Sequence, residues 1–203
     1  MAAGAWRMRI GARERPAGSI DRGLVAAAAR ACHALPMTRL ILVLCLAAGL
    51  VFAQQPPSIS GAAKMGVNNA WNNIIKSAEK MPEDQFGFKP VDSVRSFGQV
   101  LGHVADSNYF FCSALKGEEN PAPGVEKNKT SKADIVKALN DAKAYCDGAL
   151  ADLNETKMVK RGQREIPAVS LVSSMYGHMM EHYGNLVTYL RIKGLVPPSS
   201  EQR

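Results

Sequence analysis

The chain has 203 residues and a formal net charge of +7, a length that fits one domain with extra segments. The basic excess is local. Residues 1–53 hold seven arginines against Glu14 and Asp21, so removing them takes away a net five positive charges and leaves +2. No basic stripe interleaved with aromatics remains, which argues against nucleic acid as a partner.

The first 36 residues are rich in Ala and Arg and show no apolar periodicity. They read as a leader. Residues 37–53, "MTRLILVLCLAAGLVFA", read as a secretory signal peptide. Arg39 is the basic start, Leu40 to Phe52 is the apolar core, and Val51-Phe52-Ala53 occupy the cleavage positions before Gln54. That core is too short for a comfortable membrane span, which needs roughly 20 residues. Met37 is the expected initiator, with 1–36 an over-extended start. The expected domain is 54–203, exported to the periplasm or secreted, with no stable membrane span after cleavage.

Four helices are predicted in that domain. The first runs from about Ser58 to Lys80, with Met65, Trp71, Ile74, Ile75 and Ala78 on its apolar face and Pro82 ending it. The second starts at Ser96, where Gln99 completes a capping box, and stops at Gly117. Phe97, Val100, Leu101, Val104, Phe111 and Leu115 form its inner face. The third starts at Ser131 with Asp134 three residues on, and carries Ile135, Leu139, Ala142, Cys146, Leu150 and Leu153. The fourth follows Pro167 and runs to Lys193, with Gly194 as a stop and Pro197-Pro198 beyond it. The connections "MPEDQFGFKPVDSVR", "GEENPAPGVEKNKT" and "ETKMVKRGQREIP" read as polar loops, and no stretch reads as a strand. The predicted fold class is all-α, a four-helix bundle with its site built from inward side chains.

Two cysteines remain in the domain, Cys112 and Cys146. An exported chain allows one disulfide between them. Two buried thiols are the equal alternative.

The domain has three histidines: His103, His178 and His182. His182 lies about 40° round a helix from His178, on a stripe shared with Leu171, Met175, Leu186 and Tyr189. His103 sits at the edge of the second helix's apolar face, near Ser107 and Phe110. Such histidines are either hydrogen-bonded core residues or ligands of a metal. A metal gives each lone pair an acceptor, and an i,i+4 pair with a third His from another helix is a reasonable half-shell. Spacing does not show that the two helices meet. "HMMEH" also matches an inverted zincin motif, but the only acidic residue after His182 is Glu201, near the chain end. Met175, Met179 and Met180 suggest copper handling or, more simply, core filler. Glu181 and Asp106 are candidate bases, and Asn185 is a candidate for orienting a ligand.

Trp71, "FGFKP", "SFGQVLGHVADSNYFFC" and "SSMYGHMMEHYGNLVTYLRIKGLVPPSS" together resemble the DinB/YfiT-like superfamily of metalloenzymes, over roughly residues 59–199. The resemblance implies an up-down-down-up four-helix bundle, often a homodimer. It implies one divalent metal, nickel or zinc most often, on His103, His178 and His182, with water in the remaining positions. It implies a small-molecule substrate. Relatives include thiol transferases that use bacillithiol or mycothiol and a maleylpyruvate isomerase, and many members have no known activity. The expected function is therefore a metal-dependent hydrolase, thiol-transferase or isomerase. The alternative is a non-catalytic metal-binding or interaction module.

Overall fold

The computed structural model describes residues 58–201. The leader and the signal-peptide segment lie outside the described residues. Four long helices carry most of the described chain: α1 (Ile59–Lys80), α2 (Phe97–Lys116), α4 (Lys132–Leu150) and α5 (Ala168–Ile192). A short helix α3 (Val125–Asn128) precedes α4, and α6 (Pro198–Glu201) ends the described part.

The helix ends follow local chemistry. The Ser58 hydroxyl accepts from Gly61 N, and Ser131 Oγ accepts from Asp134 N. Ser96 Oγ accepts from Gln99 N while Gln99 Oε1 accepts from Ser96 N, the reciprocal pair expected of a capping box. Gly194, at φ 72°, closes α5 in a Schellman motif: Leu195 N donates to Leu190 O and Gly194 N to Arg191 O. Lys132 Nζ donates to the carbonyls of Glu79 and Met81 at the end of α1, where a cation complements the helix dipole.

Helix α1 packs on α5 and α4, and α2 packs on the same two helices, so the four close a ring around one apolar core. Trp71, Ile74, Phe97, Leu101, Leu139 and Leu186 are fully buried in it. One expected core residue is not there, and Phe110, expected beside His103 at the edge of the apolar face, is also exposed. Met65 is 52% exposed, because six residues from Trp71 place it about 120° round the helix. Phe110 is 56% exposed, on the outer side of α2. Ile75 and Phe111 pack only partly against the core.

The expectation of no strand is corrected. Residues in the third connection form a hairpin, β1 (Met158–Arg161) and β2 (Arg164–Pro167), paired Met158 to Pro167 and Arg161 to Arg164. Gly162, at φ 61°, takes the first central position of the two-residue turn, which favours glycine in a II′ hairpin. Only Val159 is buried in β1, against α2, so apolar alternation is too short to read. Among the described residues no helix is long and apolar enough to cross a membrane.

Cys112 on α2 and Cys146 on α4 form a disulfide, with Cα atoms 5.3 Å apart. Both are fully buried. This resolves the choice between a bridge and two thiols in favour of the bridge.

Candidate metal centre

The i,i+4 spacing puts His178 and His182 on one face of α5. The contact of α5 with α2 brings His103 opposite them. His178 Nε2 lies 3.2 Å from His103 Nε2 and 3.1 Å from His182 Nε2. The donor nitrogens of all three lie within 4.8 Å of one another. His182 is buried at 6% exposure, and the other two are half-buried.

The protonation pattern follows from the neighbours. His103 Nδ1 lies 3.1 Å from Glu126 Oε2. An ionised carboxylate only accepts, so Nδ1 carries a proton, which leaves Nε2 as the nitrogen that can ligate a metal. Burial pulls the Glu126 carboxyl upward, but the hydrogen bond and charge of Arg95, followed by His103, outweigh it and hold the group below its ordinary value. Arg95 Nε donates to Glu126 Oε1 at 2.8 Å. Burial holds His182 down to about 4, with His178 and His103 adding to the effect. Burial, then His103, lowers His178 as well. Both are therefore neutral near pH 7, the form that ligates a metal.

Two of the three donor pairs are spaced for one cation, and the third lies within 4.8 Å. With metal–nitrogen bonds of about 2.0–2.1 Å, nitrogens at tetrahedral angles sit about 3.4 Å apart and those at right angles about 2.9 Å apart. The two measured separations fall between these values. Three Nε2 atoms facing one another also bring lone pairs together, which a cation between them relieves. His178 Nδ1 is buried without a hydrogen-bond partner among the described residues. Asn185 Nδ2 lies 3.4 Å from His182 Nδ1. When His182 binds through Nε2, Nδ1 donates, and the Asn185 amide presents its oxygen.

The other sequence candidates fall elsewhere. Glu181 is exposed, on the rim of a cleft beside His182. Asp106 accepts from Val125 N at 2.7 Å and Glu126 N at 2.9 Å, so it caps α3 instead of facing the histidines. Glu201 pairs with Lys80 at the end of α1, and the metal-capable group among the described residues contains no carboxylate. Met175 and Met179 are fully buried core, with Met175 Sδ 3.6 Å from Cys112 Sγ, while Met180 is 37% exposed.

Sequence reasoning missed Glu126, Arg95 and the glycine that admits them. A Cβ on Gly102 would lie 2.7 Å from Glu126 Cα and 3.1 Å from Glu126 N. Only a glycine lets α3 approach α2 closely enough for Glu126 to reach His103. Tyr189 Oη donates to Arg95 O at 2.9 Å and fixes the other partner. The usable signal was Gly102 directly before His103, one turn ahead of Asp106. Outer carboxylates that orient a ligating histidine are worth about 10–100-fold in metal affinity. Glu126→Gln is expected to lose that much in a competitive chelator titration. Gly102→Ala is expected to lose affinity too, and the double variant should lose little more than Glu126→Gln alone. Fully additive losses would mean that Gly102 does not act through Glu126.

Beside the histidines a cleft of about 700 Å³ is lined by His182, Asn185, Glu181, Glu126, Arg95 and Tyr189, among others. The site therefore adjoins a polar, open space of small-molecule size.

A family model described as the DinB superfamily matches residues 67–186. The uncharacterized protein YjoA of Bacillus subtilis strain 168 is 25% identical over 126 residues, covering 58% of this chain and 79% of YjoA. The crystal structure of a DinB-like protein from Bacillus cereus ATCC 10987 superposes with a TM-score of 0.60 at 16% identity, covering 71% of this chain and 98% of that one. The crystal structure of B. subtilis YjoA gives 0.50 at 21% identity, covering 61% and 85%. These two likenesses bear on the fold alone.

Proposed function

This chain belongs to the DinB superfamily, and from that premise we propose that it is an exported, divalent-metal-dependent enzyme acting on a small molecule. His103, His178 and His182 are the proposed ligands, and nickel or zinc the proposed ion. We read the four long helices as the family's up-down-down-up bundle. The carrying observation is the convergence of three Nε2 atoms at the edge of an open polar cleft. A staple that only held helices together would need no such opening. The Cys112–Cys146 bridge supports export, since disulfides persist in oxidising compartments.

A bound divalent ion supplies Lewis-acid polarisation and makes water or a thiol a nucleophile near neutral pH. The chain's own residues do the rest. Three neutral imidazoles leave the ion's charge uncompensated. Glu126 holds His103 in its ligating tautomer, and Arg95 keeps Glu126 ionised. Glu181 and Asn185 line the cleft through which a substrate enters. Hydrolysis and transfer or isomerisation of a thiol adduct both fit this arrangement.

The first test is the metal content of protein purified from its exported compartment without chelator. About one nickel or zinc per chain is expected, and a chain carrying neither refutes the assignment. The second test is cobalt substitution followed by a small thiol such as 2-mercaptoethanol. A new sulfur-to-cobalt absorption band marks an exchangeable position. A spectrum that does not respond favours the non-catalytic module.

A further inference from the structure

A second cleft, of about 790 Å³, shares Lys89, Arg95, Gln99 and Glu126 with the first and lies on the far side of the Arg95–Glu126 pair. Four cations line it (Lys89, Arg95, Lys127 and Lys129) against one anion, Glu126. Glu126 is already spent, with one oxygen on Arg95 and the other on His103. Arg95 uses only its Nε there, and its two Nη groups make no hydrogen bond among the described residues. Lys127 and Lys129 make no ion pair among the described residues, while Lys89 pairs with exposed Asp92. Phe86 and Ile135 border the cleft but are only 4% and 1% exposed, so they offer a ligand little apolar surface.

The backbone amides at this end of α2 are not the attraction. Phe97 N and Gly98 N donate to Phe88 O and Phe86 O, and Gln99 N donates to Ser96 Oγ. What remains is a concave surface on which Lys127 and Lys129 are unpaired among the described residues and Arg95, though paired through Nε, keeps both Nη groups free. Concavity with one sign of charge concentrates the field on a small counter-ion. A guanidinium with free Nη groups suits a carboxylate or phosphate.

We propose that this cleft binds the anionic group, carboxylate or phosphate, of a small soluble substrate. The inference rests on the metal-centre reading for its link to catalysis. One carboxylate, that of Glu126, separates the bound anion from His103, so the cleft holds the substrate by its charged end beside the metal centre. Specificity then resides in Arg95, Lys127 and Lys129, and the chemistry in the histidines.

The test is an amide-shift NMR titration of the metal-loaded protein with hexyl phosphate, with hexanol as the uncharged control. Saturable shifts at Gly98, Gln99, Lys127 and Thr130 are expected with hexyl phosphate and not with hexanol. The Lys127→Gln/Lys129→Gln variant, its folding checked by circular dichroism, should bind at least about tenfold more weakly. Binding should persist in His178→Ala, because the cleft does not need the metal. Equal shifts with hexanol, or no change in the double variant, would overturn the proposal. So would shifts confined to the three histidines and lost in His178→Ala, an outcome that places the anion on the metal and leaves the metal reading standing. Shifts in the cleft from a chain that takes up no metal would sink the metal reading and keep the anion site. Binding to phosphatidylglycerol vesicles without binding of free hexyl phosphate would overturn the small-molecule assignment.

Discussion

Replacing His178 with alanine is expected to abolish stoichiometric metal binding. His178 Nε2 is the nitrogen that lies within 3.2 Å of both partners. Its loss leaves His103 and His182 on separate helices with no third donor to complete the set. The loss should exceed the roughly 10–100-fold that outer-shell changes cost. Two measurements check it. Elemental analysis after gel filtration should fall from about one ion per chain to near zero. Thermal unfolding should also lose its response to added metal, since a ligand at 100 times its Kd stabilises by about 2.7 kcal/mol. Unchanged metal content in His178→Ala removes that residue from the ligand set. A variant that loses metal and also unfolds is separated by His178→Gln, which keeps much of the packing and should still lose the ion.

The parts legible in the sequence are those set by residues near one another in the chain. Ser58, Ser96 with Gln99, and Ser131 mark helix starts because a cap is satisfied within three residues. Gly117 and Gly194 mark stops because each takes a positive φ. The His178/His182 pair is legible because helical geometry alone puts both on one face. His103 is different in kind. Its own helix places it only at the edge of an apolar face, and its approach to His178 depends on how α2 meets α5. The family resemblance, and not the spacing, supplied that link.

Glu126 was out of reach for a further reason. It comes from "GEENPAPGVEKNKT", which reads as a polar loop. Its position depends on two contacts distant in sequence: the missing Cβ of Gly102 and the Asp106 carboxylate that caps α3. Asp106 therefore looked like a candidate base, while the carboxylate that touches a histidine was passed over. The hairpin escaped for want of signal, since Val159 is the single buried residue of its first strand. Met65 shows the opposite error, in which apolar character was taken for burial.

Reducing the Cys112–Cys146 bridge is expected to have the largest effect on stability and little effect on metal affinity. The bridge joins α2 to α4 across a sequence separation of 34 residues. Closing a loop of that length in the unfolded chain is worth about 4 kcal/mol in the chain-entropy account. That is a large share of the roughly 5–15 kcal/mol by which domains are stable. Urea unfolding with and without reductant measures it, and reduction of the native sequence is cleaner than Cys→Ala because no sulfur is deleted. The midpoint should fall substantially, and the slope should hold or rise as the reduced unfolded chain exposes more surface. Both sulfurs are fully buried, so reductant should act on the unfolded chain far faster than on the folded one. Equal midpoints in the two conditions, or two free thiols in unreduced, unfolded residues 54–203, which hold only Cys112 and Cys146, would refute the bridge. His103, His178 and His182 all lie outside the closed loop, and only Glu126 lies within it. Protein that is reduced but still folded should therefore keep its metal, whereas His178→Ala should lose the metal whether or not the bridge is intact. The two perturbations thus separate what holds the helices together from what they hold.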